Sequence, residues 1–109
     1  KPVECEGTSY QWYDLDAIIA GLGGQRVDLL IVDGPISSPG QLSRYPALPL
    51  LRPLLADDAA VILDDIERAD ENRIAAKWSV SYERTMAMHG LSGGIGLLQL
   101  SDRRRYNIS

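Results

Sequence analysis

Two short runs constrain this chain more than anything else in it. Val27-Asp28-Leu29-Leu30-Ile31-Val32-Asp33 and Ala59-Ala60-Val61-Ile62-Leu63-Asp64-Asp65 are rich in β-branched and apolar residues, and each ends in acid. A strand with one face in water alternates polar with apolar residues, whereas a near-continuous apolar run is the pattern of a strand buried on both faces of a parallel sheet. Gly34-Pro35 stops the first run. Between the two, Leu42, Tyr45, Leu48, Leu51, Leu54 and Leu55 recur at helical spacing, interrupted by Pro46, Pro49 and Pro53. The segment 37–55 therefore reads as a helix entered through Pro39 and broken or bent near Pro53. Strand, helix and strand in that order predict a right-handed crossover with the two strands as parallel neighbours.

The remaining segments extend this pattern. Asp14 can cap a helix over 15–22, whose apolar positions Leu15, Ile18, Ile19 and Leu22 share a face and which Gly21, Gly23 and Gly24 can end. A further helix is predicted over 67–78, with Ala69, Ile74 and Trp78 inward. Two strand-like runs, 80–88 and 95–100, are separated by the short Gly-rich link 89–94, which favours an antiparallel hairpin. Residues 1–13 show little periodicity and read as an irregular lead-in with a short strand at Val3–Glu6; 101–109 reads as a tail. The fold class expected is α/β, with about four strands, two parallel plus a C-terminal antiparallel hairpin, and flanking helices in one domain.

Composition narrows the partners. Eleven Lys and Arg against fifteen Asp and Glu leave a net charge of −4 over 109 residues, so there is no chain-wide positive field for phosphate backbones, and nucleic acid is not an expected partner. Arg103-Arg104-Arg105 reads as a solvated tail. Apolar runs such as Leu29–Val32 fall far short of the roughly 20 residues that cross a bilayer, so no membrane partner is expected either. The single cysteine, Cys5, can form neither an internal disulfide nor a multi-thiolate metal site, and a reducing, cytoplasmic setting is the expectation. The chain opens on Lys1 rather than Met, which reads as a processed or excerpted sequence.

Chemistry is most concentrated at the ends of the two strands. If the strands are neighbours about 4.8 Å apart, Asp33 and Asp64-Asp65 converge at the carboxyl edge of the sheet, where open α/β folds bind ligands. Three clustered acids can hold a hard cation such as Mg²⁺, or one can act as a general base. The same residues have a structural alternative, because an Asp after a strand also caps the next helix, and Asp64 or Asp65 sits where the 67–78 helix needs a cap. Neither Gly21-Leu22-Gly23-Gly24 nor Gly93-Gly94-Ile95-Gly96 follows a strand and precedes a helix, as a phosphate loop must. These read as a helix stop and a hairpin turn. His89 reads as a turn histidine, Ser37-Ser38 as a helix start, Cys5 as a small apolar residue, and Trp12, Tyr13 and Tyr45 as core or rim.

Taken together, Trp12-Tyr13-Asp14, Val27–Pro35 (VDLLIVDGP), Arg44–Leu51 (RYPALPLL) and Val61–Asp65 (VILDD) resemble the C-terminal half of a class I S-adenosylmethionine-dependent methyltransferase. The resemblance spans residues 12–100. It implies a partial Rossmann-like fold whose four strands match the fourth to seventh of that family's sheet. The Val27 strand would lie beside the Ala59 strand, and the Ile95 strand would insert between the Ala59 and Val80 strands. It further implies that Asp33 and Asp64 act on the acceptor and that Asp33, Asp64 and Asp65 bind Mg²⁺, although the fifth-strand pair here is Asp-Asp where some metal-dependent members have Asp-Asn. No residues match the family's Gly-rich cofactor loop or the acid that ends its second strand.

The chain is accordingly expected to be a methyltransferase fragment for a small hydroxyl or similar acceptor, inactive in isolation, with S-adenosylmethionine used only by a complete enzyme. A second expectation is a non-catalytic α/β module that self-associates, because an unpaired apolar strand 27–32 would be a flat edge prone to pairing, as in a homodimer. A nucleotide-binding α/β domain is a weaker third, having no phosphate loop.

Overall fold

The computed structural model describes residues 1–35, 40–89 and 94–101. Its centre is a mixed sheet of four strands: β3 (Val27–Val32), β4 (Leu55–Asp64), β5 (Ala87–His89) and β6 (Ile95–Gln99), in the spatial order β3-β4-β6-β5. β3 and β4 are parallel, with Leu29 to Val32 opposite Ala60 to Leu63, while β6 runs antiparallel to both β4 and β5. The parallel neighbours and the antiparallel closing pair expected from the sequence are both present, and the Ile95 strand lies between the other two. The chain is thus a mixed α/β fold.

Three helices accompany the sheet: α1 (Leu15–Leu22), α2 (Ala47–Leu51) and α3 (Ala69–Tyr82). α1 has the predicted bounds, with the Asp14 side chain accepting from the Ala17 amide and Gly23 closing the helix at φ 58°. α2 is much shorter than the predicted 37–55 helix. Pro46 and Pro49 are tolerated at the start of a helix, where amides lack intrahelical acceptors, but Pro53 cannot donate, and the chain tightens into a 3₁₀ turn over Arg52–Leu54. Pro39 and Ser37-Ser38, the predicted entry to that helix, lie outside the described residues, as do Gly90–Gly93 of the predicted link and the Arg103–Arg105 tail.

Two further expectations are corrected. The segment 80–88 is not one strand, because α3 continues to Tyr82 and only Ala87–His89 joins the sheet. Ile74, Trp78 and Tyr82 repeat every fourth residue, so extending the helix keeps one apolar stripe facing inward while Val80, which reads locally as a strand former, is left 78% exposed. The short strand expected at Val3–Glu6 is present as β1 (Pro2–Cys5), but the rest of 1–13 is not irregular, because β2 (Thr8–Gln11) pairs with it as a hairpin. Its turn places Glu6 at φ 52° and Gly7 at φ 84°, the paired left-handed backbone of a two-residue hairpin loop.

The core lies on one side of the sheet. Val32, Val61, Leu63 and Leu98 are buried together with Leu48 and Leu51 of α2 and Ile74 and Trp78 of α3. Trp78 is fully buried, and its Nε1 donates to the Tyr45 carbonyl at 3.1 Å. Tyr45 in turn donates its hydroxyl to Glu6, fastening the hairpin to the body of the fold. Burial, then the bond to Glu6, push the Tyr45 phenol well above its usual range. The opposite face is open. Its cross-strand row Ile31, Ile62, Leu97 and Ala87 contains no buried residue, and Leu29 and Ile31 are 50% and 61% exposed. The expectation that β3 is buried on both faces is therefore not met: its apolar pattern exceeds what the described residues cover.

Trp78→Ala removes the largest fully buried side chain together with a buried hydrogen bond. It should lower unfolding stability by about 3–5 kcal/mol, measured by urea denaturation.

Candidate functional site

The register of β3 against β4 decides where the acids meet. Since Val32 pairs with Leu63, the next residues along the two parallel strands, Asp33 and Asp64, leave the sheet side by side. Asp65 then turns the chain at φ 58°, a left-handed conformation that Asp tolerates better than most residues, and its amide donates to Asp64 Oδ1 at 2.8 Å. One carboxylate oxygen from each of Asp33, Asp64 and Asp65 lies within 4.8 Å of the other two. The three residues singled out in the sequence are thus brought together. The capping alternative is not met, because Arg68 occupies the N-cap of α3 and no side chain caps that helix.

A residue that the sequence did not single out for a role organises the cluster. Arg44, only 4% exposed, sends Nη1 to Asp65 Oδ2 at 3.3 Å and Nη2 to within 4.0 Å of Asp33 Oδ1. Its guanidinium also donates to the carbonyls of Pro35 and Asp64 and lies 3.8 Å from Glu71 Oε2 of α3. Glu71 is equally buried, and its Oε1 lies 3.5 Å from Arg68 Nε as an ion pair without hydrogen-bond alignment. Arg68 Nη1 also approaches Asp65 Oδ2 at 3.9 Å. Arg44 sits in a segment that reads only as helix, and no local pattern marks a buried guanidinium. Glu71 reads as an ordinary acid in a helical first turn.

Four carboxylates therefore meet two guanidinium groups, leaving the cluster two formal charges negative. Asp65 and Glu71 take most of the arginine contacts. Asp33 and Asp64 are left facing each other. A hydrogen bond shared with Asp64, then the Asp64 charge and some desolvation, hold the Asp33 carboxyl above its usual range, and Arg44 opposes this only in part. The donor set fits Mg²⁺, which takes oxygen ligands near 2.0–2.1 Å, so that oxygens on opposite sides of the ion lie roughly 4 Å apart. Asp33 and Asp64 would be its ligands, with Asp65 held by Arg44 at the rim.

The other residues considered fall elsewhere. His89 is exposed and lies level with Asp64 but with Ile95 of β6 between them, about 10 Å away at two strand spacings. Cys5 and Tyr45 belong to the core. Gly23 and Gly24, at φ 58° and 87°, end α1, and no Gly-rich loop runs from a strand into a helix among the described residues. An added Cβ on Gly96 would meet Met86 Sδ at 2.8 Å, so that glycine serves packing. The residues present therefore do not form a cofactor loop for S-adenosylmethionine. No helix among the described residues is long and apolar enough to cross a membrane. Compared with known proteins, the chain matches no family model and no curated protein.

Arg44→Met leaves buried Glu71 and half-buried Asp65 without their main counter-charge and should cost roughly 3–5 kcal/mol of unfolding stability, measured by denaturation. Asp33 has the opposite sign. Its folded carboxyl holds a proton more tightly than the unfolded one, so its stabilising share is complete below the ordinary Asp value of 3.8 and is lost as pH rises through the raised value. Asp33→Asn should therefore raise the melting temperature at pH 7, with the gain shrinking toward zero as the solution is acidified.

Proposed function

We propose that this chain is the acceptor-side half of a class I S-adenosylmethionine-dependent methyltransferase fold, in which Asp33 and Asp64 bind Mg²⁺ and orient a small hydroxyl acceptor. The observation that carries the reading is the convergence of Asp33, Asp64 and Asp65 where two parallel strands end. The strand order β3-β4-β6-β5, with the antiparallel strand inserted, supports it as well. So does the open face of the sheet, since an apolar row of Ile31, Ile62, Leu97 and Ala87 is what a second layer of the same fold would cover. S-adenosylmethionine supplies an electrophilic methyl group, and the loop that would hold it is not among the residues described here. The part played by this chain is therefore confined to the acceptor. Asp33 and Asp64 would hold the Mg²⁺ against which the hydroxyl is oriented, while Arg44 holds Asp65 at the rim.

A specific observation favours a second reading. β3 is an edge strand with Leu29 and Ile31 largely exposed, which suits a module that self-associates as a homodimer through residues 27–32.

Calorimetric titration separates the two readings. S-adenosylmethionine, with and without Mg²⁺, is titrated into this chain and into the longest natural reading frame that contains it. The methyltransferase reading expects binding by the longer chain only, and Mg²⁺ binding that weakens at least tenfold in Asp33→Asn and in Asp64→Asn; no binding by either chain would sink it. The self-association reading expects a dimer in sedimentation that Ile31→Lys returns to monomer, with no response to Mg²⁺.

A further inference from the structure

Asp65 is shared by two arginines that differ in how firmly they are held. Arg44 is 4% exposed and bonded to the Pro35 and Asp64 carbonyls, whereas the Arg68 side chain is 55% exposed. Arg68 Nη1 lies 3.9 Å from Asp65 Oδ2, and its Nε lies 3.5 Å from Glu71 Oε1. Neither contact is a hydrogen bond. Among the described residues the Arg68 guanidinium has no acceptor, and Glu71 Oε1, on a side chain only 4% exposed, has no donor.

Stability does not account for this placement. Arg68 is the N-cap of α3, where the helix dipole is positive and a Ser, Thr, Asn or Asp would satisfy a free amide, so a cation there is unfavourable on both counts. A buried carboxylate oxygen without a donor adds a further cost. A small rotation of one long, exposed side chain would remove that cost, by bringing Arg68 Nε from 3.5 Å into aligned bonding distance of Glu71 Oε1. The guanidinium is held short of that bond by a second pull, from Asp65 and, behind it, from the uncompensated charge of Asp33 and Asp64. Arg68 thus stands between two acceptors and is committed to neither.

We propose that Arg68 is a movable counter-ion of the acidic cluster. With no cation at the strand ends it lends its charge to Asp65; when Asp33 and Asp64 hold Mg²⁺, it is repelled, swings to Glu71 and makes the missing hydrogen bond. That swing presupposes the Mg²⁺ site of the methyltransferase reading. Arg68 sets the affinity of the site by competing in charge rather than by filling it, and Arg44, fixed by its buried carbonyl and carboxylate partners, stays in place in both states.

The test titrates Mg²⁺ into this chain by calorimetry and follows the arginine Nε–H signals of ¹⁵N-labelled protein by NMR, with Arg68→Lys identifying the Arg68 signal by its loss. Arg68→Gln, an exposed change, removes the competing charge and should tighten Mg²⁺ binding about fivefold, as befits a unit charge within about a Debye length of the ion. Arg68→Lys keeps the charge and should leave the affinity within about twofold of the original. In the unaltered chain the Arg68 Nε–H signal should move downfield and exchange more slowly with water as Mg²⁺ saturates, the mark of a hydrogen bond gained. Mg²⁺ binding that is unchanged or weaker in Arg68→Gln, or an Arg68 signal that stays in place while Mg²⁺ binds, would overturn the proposal and leave the Mg²⁺ reading intact. If neither the unaltered chain nor Arg68→Gln binds Mg²⁺, that reading fails and the movable counter-ion falls with it.

Discussion

The buried Arg44 guanidinium ties together more of this molecule than any other group. It reaches the chain just past β3 through the Pro35 carbonyl, the end of β4 through Asp64 O and Asp65, and α3 through Glu71. A buried cation is costly unless each of its donors faces a carbonyl or carboxylate, and here three segments supply those acceptors. The ends of the two parallel strands and the start of α3 are consequently held in one arrangement. The acids meet there because the β3–β4 register brings Asp33 and Asp64 to the same edge of the sheet.

Arg44 also divides the acids into two kinds. Asp65 and Glu71 are neutralised by arginine and are structural. Asp33 and Asp64 keep a shared surplus of negative charge at the rim of the sheet, beside a groove walled by Trp12 and Tyr13. Surplus charge next to an apolar wall is an arrangement that stability alone does not favour, since the two carboxylates repel each other. A bound cation would relieve that repulsion. That is the physical case for proposing this corner, rather than His89 or the glycine turns, as the functional site.

The sheet has a similar imbalance on a larger scale. One face carries the whole core, while the other presents Ile31, Ile62 and Leu97 without burying any of them. Exposed apolar rows of this kind mark surfaces that meet another layer, whether from the same polypeptide or from a second copy. Both functional readings share this property and differ in what they place against it.

Much of this was legible in local patterns. The two apolar runs ending in acid determined a parallel pair with its acids at one edge, because strand spacing and crossover handedness leave few alternatives, and Asp14 with Gly23 determined the ends of α1. Where local preference and tertiary packing compete, the sequence was silent or misleading. Val80 reads as a strand residue, yet it is carried outward on a helix because Ile74, Trp78 and Tyr82 share an inward stripe; the proline-laced 37–55 segment yields only one short helix. The Glu6-Gly7 hairpin carries only a short alternation, Val3 and Cys5 about Glu4 and Tyr10 and Trp12 about Gln11, which is easily passed over in so brief a segment. Only the folded chain decided that Arg44 and Glu71, distant in sequence and individually unremarkable, meet beneath the aspartates, and that the described residues leave Ile31, Ile62 and Leu97 unburied on one face of the sheet. Each depends on which segments become neighbours, and a buried charge or an unmet donor acquires meaning only from those neighbours.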